Sequence, residues 1–189
     1  MKTKYLTEDL TDEKLVREIV KNNNVMLFEQ LYDRYEKRVY NKCCGFAKSA
    51  AEAEDLTQDV FLMLFVKLGS FKGKSKFSSW LYSVTYNFCV NYVNRNRGRK
   101  IEDKSDSISD DSGKLSAVID DERILDLRYD KLKRALDLIS PEDKTLLLLK
   151  YQDEVSIREL SELMQISESA IKMRLKRAKA RVEVKYNEI

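Results

Sequence analysis

Three groups of polar side chains in this sequence have the types and spacing to bind other molecules. Asp55, Gln58 and Asp59 are spaced as i, i+3 and i+4, so on a helix they share one face. Residues 80–96 mix aromatic with asparagine side chains, and residues 172–181 carry many cations and no acid. Carboxylates contact basic protein surfaces, aromatic rings and amides bind unpaired bases, and cationic helices bind DNA phosphates.

The residue types that are missing exclude much enzyme chemistry. The 189-residue chain has no histidine, and its three cysteines, Cys43, Cys44 and Cys89, form no C-x-x-C pair. No glycine-rich phosphate loop and no nucleophile–base set occurs. We therefore expect no enzyme, no cofactor and no metal site. The thiols are predicted to be reduced and partly buried, with Cys43 and Cys44 on different helix faces.

Hydropathy and charge predict a cytoplasmic protein without membrane insertion. No apolar signal-peptide core follows the N-terminus, and the longest apolar run, residues 60–66, is too short to span a bilayer. Charged residues make up 35% of the chain but the net charge is only +3. The distribution of charge therefore matters more than its sum.

Helical periodicity with only five glycines and one proline predicts an all-α fold. We expect two small helical domains, residues 1–101 and 123–189, joined by an acidic flexible linker over residues 102–122. The linker has eight acidic residues against two lysines and is rich in serine. Such a composition is typical of a disordered segment.

Four helices are predicted in the first domain. The first runs from about residue 12 to 20, with these side chains inward: Leu15, Val16, Ile19 and Val20. The asparagines at residues 22–24 end it, and a long second helix follows. The third covers about residues 52–68 and ends at Gly69 as a C-cap. Its apolar run 60–66 predicts burial on several sides. The fourth begins near Ser78, and its core stripe is Trp80, Leu81, Val84 and Phe88.

The second domain contains the pattern of a helix-turn-helix. Ser140 before Pro141 marks a helix start ahead of it. Ser156 can cap one helix of the motif and Ser167 a second, with the turn at Met164, Gln165 and Ile166. A buried stripe is predicted on the second helix: Ile171, Leu175, Ala178 and Val182. Its other faces carry cations: Lys172, Arg174, Lys176, Arg177, Lys179 and Arg181. This pattern is typical of a helix that lies in the DNA major groove, although an ordinary hairpin with a solvated face is the alternative.

Several motifs resemble those of extracytoplasmic-function sigma factors. Residues 53–61 (AEDLTQDVF) and 77–82 (FSSWLY), followed by Asn87 and Asn91, are similar to region two of that family. Residues 139–141 (ISP) and 167–175 (SESAIKMRL) are similar to region four. The resemblance implies two helical domains without catalytic activity or a required cofactor. The first binds the RNA polymerase clamp and the promoter minus-ten element, and the second binds the flap and the minus-thirty-five element.

The resemblance also implies roles for individual residues. The contact with core polymerase falls on Asp55, Gln58 and Asp59. Minus-ten recognition and melting fall on Ser70, Phe71, Lys72, Gly73, Lys74, Ser75, Lys76, Trp80, Asn87, Asn91, Arg95 and Arg97. Minus-thirty-five recognition falls on Ser167, Ser169, Lys172, Met173, Arg174, Lys176 and Arg177.

Plainer interpretations of the same residues remain open. The acids of the third helix could be helix-dipole partners on a core helix, Trp80 could be a core residue, and the arginines could form a solvated helix end. The linker could be a simple tether or could occupy a cationic polymerase channel. The runner-up function is a stand-alone helix-turn-helix regulator that binds duplex DNA without polymerase. An anti-sigma factor is a possible further partner.

Several positions depart from the family pattern: Glu154, Ser161, Gln165, Ser169, Ala170 and Met173. Two of them concern the backbone. Glu154 and Gln165 stand where members often have glycine, ahead of and inside the helix-turn-helix. If the backbone is left-handed there, a side chain costs about 1 kcal/mol.

Overall fold

The computed structural model describes residues 10–102 and 129–189, so the predicted linker, apart from its first residue Glu102, lies outside the described residues. Within these ranges the chain is helical and contains no strand, which confirms the predicted all-α class. By backbone packing the chain divides into two compact units, residues 1–86 and 87–189. The predicted boundaries at residues 101 and 122 stay a prediction.

Eight α-helices form the described part of the chain. The first four are α1 (Asp12–Asn22), α2 (Val25–Cys44), α3 (Ala50–Lys67) and α4 (Phe77–Glu102). The other four are α5 (Tyr129–Leu138), α6 (Pro141–Leu147), α7 (Ile157–Met164) and α8 (Glu168–Glu188). A 3₁₀ turn, Leu68–Ser70, follows α3, and a π-helical turn, Leu148–Gln152, extends α6.

Asparagines separate α1 from α2, as the sequence predicts. Asn23 ends α1 in the left-handed region, and the Asn24 side chain caps α2 by accepting from the Met26 and Leu27 amides. The inward side chains Leu15 and Ile19 are buried, but Val20 is 49% exposed. The prediction for Val20 is wrong because it lies one residue beyond the last inward position of a helix with 3.6 residues per turn.

Helix α3 is not buried on several sides. Leu56, Val60 and Leu64 face the core, whereas Leu62 is 69% and Val66 is 82% exposed. The buried residues of α3 all lie on one side of the helix, so only that side packs: Ala53, Leu56, Thr57, Val60, Phe61 and Leu64. Gly69 is not the C-cap either, because α3 passes at Leu68 directly into the 3₁₀ turn.

The buried face of α4 is rotated from the predicted stripe. Phe77, Leu81 and Thr85 are fully buried, while Trp80, Val84 and Phe88 are half-buried. Small polar Thr85 lies inward because its hydroxyl donates to the Leu81 carbonyl oxygen. The sequence pattern favoured the bulkier side chains. Cysteines 43 and 89 are buried and Cys44 is exposed, so the expectation of partial burial was wrong for Cys44.

The helices that follow residue 139 begin at the predicted capping residues. Ser140, directly before Pro141, caps α6 by accepting from the Asp143 amide, and Ser167 caps α8 by accepting from the Ala170 amide. Ser156 and Glu159 form a reciprocal capping box at the start of α7. These contacts satisfy amide groups that have no partner inside the helix, and so they fix where each helix begins.

Two residues of this unit adopt the left-handed backbone that glycine prefers. Glu154 has φ 54° and Gln165 has φ 55°. Gln165 ends α7, and the chain turns there so that the Ile166 amide donates to the Ser161 carbonyl oxygen at 3.3 Å. The Gln165 side chain is exposed and makes no hydrogen bond with another described residue. It therefore contributes strain without a compensating contact.

We expect Gln165→Gly to stabilise the protein. Removing the side chain relieves about 1–2 kcal/mol of strain in the left-handed backbone. Glycine also makes the unfolded chain more flexible, which lowers the free energy of unfolding by about 0.4–1 kcal/mol. The net gain in the free energy of unfolding should be about 0.5–1 kcal/mol, measured by urea titration followed by circular dichroism. Gln165→Ala is the control and should change little, because alanine keeps the strain. A Gly variant no more stable than the Ala variant would contradict the strained turn.

Candidate protein and nucleic-acid interfaces

The carboxylates of α3 form an exposed surface. Asp55, Gln58 and Asp59 are all exposed and share one face, opposite the buried Leu56, Val60 and Leu64. None of the three makes a hydrogen bond or ion pair with another described residue. The structure therefore brings these three predicted residues together and leaves their polar atoms accessible.

Other residues perform the capping that was the alternative role for these acids. Ser49 caps α3 by accepting from the Glu52 amide at 3.2 Å, and Glu52 accepts in return from the Lys48 amide. Glu52 is also the acid in the first turn of the helix, whereas Asp55 and Asp59 lie beyond it. The helix-dipole effect falls off within the first turn, so it does not explain the two aspartates.

The exposed face of α3 continues from acidic to apolar. Asp55, Asp59, Leu62 and Val66 follow one another at spacings of four, three and four residues, which places them on one stripe. Sequence reasoning missed Leu62 and Val66 because it treated residues 60–66 as buried all round. The helical register of Asp55 and Asp59, extended forward, would have found them.

Aromatic rings anchor the loop between α3 and α4. The Phe71 ring lies 5.4 Å from the ring of Phe77 and 5.4 Å from that of Trp80, and Phe77 and Trp80 lie 5.8 Å apart. Phe77 is fully buried, so the cluster ties the loop to the core. Between these rings the chain turns at Gly73, whose φ is +68°. Lys72, Gly73, Lys74 and Lys76 are exposed.

One face of α4 carries polar side chains beyond this loop. Trp80, Val84, Asn87, Asn91 and Arg95 are spaced by four, three, four and four residues and so follow one helix stripe. The two asparagines and Arg95 are exposed, whereas Trp80 is half-buried. Asn87 makes no hydrogen bond with another described residue, so its amide is available to a ligand.

Arg97 lies further along α4, where only the backbone is described. It stays a prediction as a contact residue.

A buried lysine holds α2 against α4 just before Asn87. The Lys42 ammonium lies 3.9 Å from the centre of the Tyr82 ring and 3.4 Å from the Tyr86 hydroxyl. Lys42 is only 6% exposed, and cation–π contact offsets part of the cost of its burial. Sequence reasoning missed Lys42, because nothing in the sequence distinguishes it from Lys37, the exposed lysine of the same helix.

The second helix of the helix-turn-helix presents a polar face. The predicted stripe is confirmed, since Ile171, Leu175, Ala178 and Val182 are all buried. Opposite that stripe lie Ser169, Met173, Lys176 and Arg177, flanked by Lys172 and Arg174. All six are exposed, as is Ser167 at the start of the helix.

Two of the predicted cations of α8 do not belong to this free surface. Lys179 is buried, with its ammonium 5.0 Å from the Tyr151 ring centre, and Arg181 pairs with Asp143 of α6. Both lie toward the packed side of α8. The prediction that Lys179 lies on a solvent-facing side of the helix was therefore wrong.

Neither a metal site nor a membrane span occurs among the described residues. In residues 10–102 and 129–189 no group of three or more Cys, Asp and Glu side chains is placed to hold a metal ion. No helix in the same ranges is both long and apolar enough to cross a membrane.

These features define a helical protein with an exposed acidic face on α3 and a helix-turn-helix formed by α7 and α8. Residues 31–99 match the family described as Sigma-70 region 2, and residues 129–182 match Sigma-70, region 4. Together the two matches cover well over half of the chain. The chain belongs to the sigma-70 family, and it is a sigma factor of the extracytoplasmic-function type.

Individual relatives agree over nearly the whole length. The chain is 25% identical to the ECF RNA polymerase sigma factor SigW of Bacillus subtilis, covering 85% of this chain and 89% of SigW. It is 26% identical to the ECF RNA polymerase sigma-E factor of Escherichia coli K12, with coverages of 95% and 96%.

A solved structure shows the same fold. The sigma factor RpoE of Bartonella quintana, in complex with the anti-sigma factor NepR, superposes with a TM-score of 0.58 at 23% identity. The superposition covers 85% of this chain and 96% of RpoE.

Proposed function

We propose that this sigma factor binds core RNA polymerase through α3, captures the minus-ten element with α4 and its preceding loop, and reads the minus-thirty-five element with α8. The main supporting observation is the exposed carboxylate face of α3, which lies within the region-two match and makes no hydrogen bond or ion pair with another described residue. A stand-alone regulator that binds duplex DNA would have no use for it. The protein acts by binding and not by catalysis, in the cytoplasm where polymerase and DNA are found.

The polymerase contact is proposed for Asp55, Gln58 and Asp59. Their exposed carboxylates and amide suit a basic, helical surface on the clamp. Since no described residue neutralises the two aspartates, their charge is available to a partner.

Melting is proposed for the loop of residues 70–76 and for the polar stripe of α4. An extruded base needs a pocket that offers edge contacts and a flat surface. Asn87 supplies a donor and an acceptor, the half-buried Trp80 lies on the same stripe, and the exposed lysines of the loop would contact phosphates. Asn91, Arg95 and Arg97 extend this surface along the backbone of the nearby duplex.

Upstream recognition is proposed for α8. Ser167 and Ser169 lie at its start, where amide groups and hydroxyls contact phosphates. Lys172, Arg174, Lys176 and Arg177 supply charge and base-edge contacts, and the half-exposed Met173 offers an apolar surface to a thymine methyl group. The flap would be contacted by the same unit.

The acidic linker and an anti-sigma factor complete the proposed function. Residues 102–122 lie outside the described residues apart from the end of α4, and they act as a tether or as the occupant of a cationic polymerase channel. An anti-sigma factor is a candidate partner, because one solved structure with this fold is the sigma factor RpoE bound to the anti-sigma factor NepR, and another is CnrH bound to the cytosolic domain of CnrY.

A mobility-shift experiment tests the function as a whole. A labelled promoter fragment is incubated with the protein alone, with core polymerase alone and with both. A sigma factor gives a specific, heparin-resistant complex only with both present. Equally specific binding by the protein alone, unchanged by polymerase, would support the stand-alone regulator instead.

Arg177 and Lys176 should affect DNA binding in different ways. Arg177→Ala is expected to cost about 1–3 kcal/mol and to relax preference at one base pair if the guanidinium binds a guanine edge. Lys176→Ala should weaken all sequences evenly and lower the salt slope by about 1 if the ammonium binds a phosphate.

The measurement is binding of the polymerase complex to preferred and scrambled upstream elements at several salt concentrations. Lys133→Ala, an exposed lysine on α5, is the control for loss of one charge. Wild-type binding by both α8 variants would show that this face does not read DNA.

A further inference from the structure

A residue of α1 holds the start of α4. The Glu13 side chain accepts a hydrogen bond at 3.0 Å from the backbone amide of Phe77, which is the first residue of α4 and lies 64 positions further along the chain. Residues 70–76, the proposed melting loop, end immediately before this amide. Helix α1 lies outside the region-two match, which begins at residue 31.

The contact replaces a local cap that the sequence lacks. The first amides of a helix need an acceptor, and a Ser, Thr, Asp or Asn at the N-cap position usually supplies it. The residue before Phe77 is Lys76, whose side chain has no oxygen. The nearby Ser75 hydroxyl donates to the Lys76 carbonyl oxygen instead, at 3.3 Å. The Glu13 carboxylate takes the position of the missing cap, where the helix dipole also favours negative charge.

Asp12, the residue before Glu13 on α1, also stabilises the start of α4, through Tyr35. Asp12 accepts from the Tyr35 hydroxyl and from Arg34, which also donates to the Leu10 carbonyl oxygen. The Tyr35 ring lies 5.6 Å from the Phe77 ring, and burial together with the Asp12 hydrogen bond raises the Tyr35 pKa. The tyrosine is therefore a neutral donor at every ordinary pH. Glu13 thus contacts the backbone of Phe77 directly, whereas Asp12 acts on the Phe77 ring through Tyr35.

Phe77 links the start of α4 to the loop of residues 70–76. Its buried ring contacts Phe71 within the loop and Trp80 on the polar stripe of α4. A shift of the Phe77 backbone would move both rings, and through them the cradle proposed for the extruded base. We infer that Glu13 is a positioning residue for promoter melting, which acts by capping α4 at Phe77 and thereby fixing the loop of residues 70–76. The inference rests on the proposed function, since it assigns a role within the same melting site.

The test compares three variants in complex with core polymerase. Glu13→Ala removes the acceptor, Glu13→Gln keeps an oxygen that can accept from the Phe77 amide, and Glu18→Ala is the control on the same helix. Glu18 pairs only locally, accepting from the Asn22 amide group at 2.9 Å. The readouts are the rate of promoter opening, followed by permanganate reactivity of minus-ten thymines, the affinity for core polymerase, and hydrogen exchange at the Phe77 amide.

Glu13→Ala should open the duplex promoter about tenfold more slowly, the effect expected for loss of one charge-assisted hydrogen bond. Its affinity for polymerase should stay within about twofold, because the α3 face does not depend on this cap. Exchange at Phe77 should accelerate. Glu13→Gln should open within about twofold of wild type, and Glu18→Ala should match wild type in every readout.

The outcomes separate the inference from the proposed function. Wild-type opening by Glu13→Ala would overturn the inference alone, as would an equal loss of polymerase affinity and opening, because that pattern marks general unfolding. Opening as slow in Glu13→Gln as in Glu13→Ala would also overturn it, since the retained acceptor should rescue. Failure of the wild-type protein to open any promoter with core polymerase would overturn the proposed function, and the inference with it.

Discussion

Replacing Asp55 and Asp59 together by alanine is expected to abolish productive binding to core polymerase while leaving the fold intact. Each aspartate that meets a basic group on the clamp contributes about 2 kcal/mol, so the double variant should bind about a thousandfold more weakly. The fold should not suffer, because neither side chain makes a hydrogen bond or ion pair with another described residue and capping of α3 depends on Ser49 and Glu52. The measurements are the dissociation constant for core polymerase and the thermal unfolding curve.

A double variant of α2 controls for the loss of two negative charges. Glu29 and Asp33 are exposed and spaced by four residues, as are Asp55 and Asp59. Their replacement by alanine should weaken polymerase binding by no more than about threefold through the general field. Equal weakening by both double variants would mean that net charge and not the α3 face determines binding. A lowered unfolding temperature for Asp55→Ala with Asp59→Ala would mean that the acids are structural.

The helix boundaries were predictable where they are marked by residue types that cap helices. Ser156, Ser167 and the Ser140–Pro141 pair each mark a helix start that the structure contains, because few side chains can satisfy free amides. Asn23 and Asn24 likewise end and begin helices at their predicted places.

The side of a helix that faces the core was harder to predict where most of the residues of the helix are apolar. Residues 60–66 of α3 give no periodic signal, so the exposure of Leu62 and Val66 depends on where α2 packs and not on the local sequence. On α4 the small Thr85 lies inward and the larger Trp80 at the edge, which hydrophobicity alone ranks the other way. Lys179 was assigned to solvent from its charge, yet the Tyr151 ring covers it.

The candidate sites show the same division. The mutual position of Asp55, Gln58 and Asp59, and of Asn87 and Asn91, follows from helix register, which the sequence contains. The Glu13–Phe77 contact joins residues 64 positions apart and lies in no motif. Only the packing of α1 beside the start of α4 brings the two together, so no pattern within either segment could have indicated it.

Asn87→Ala is expected to impair promoter opening without impairing any earlier step. The amide is exposed, uncharged and without a hydrogen bond to another described residue, so its loss should change neither stability nor polymerase affinity. Extruding a base costs a few kcal/mol, and loss of an edge contact worth about 2 kcal/mol should slow opening by about thirtyfold. Permanganate footprinting of minus-ten thymines over time gives the rate, and closed-complex formation is measured separately by filter binding at low temperature.

The control is Asn41→Ala, which removes an exposed amide from α2, a helix that contributes no residue to the proposed melting surface, and which should open promoters normally. A promoter with a pre-melted minus-ten region then distinguishes two defects. If Asn87 only helps to separate the strands, the bubble should restore nearly all of the activity. If Asn87 captures the extruded base, rescue should be incomplete, because the unpaired base still lacks its contact with the amide. The extent of rescue should then depend on which base stands at the captured position. Wild-type rates on the duplex promoter would return Asn87 to the role of an ordinary surface amide.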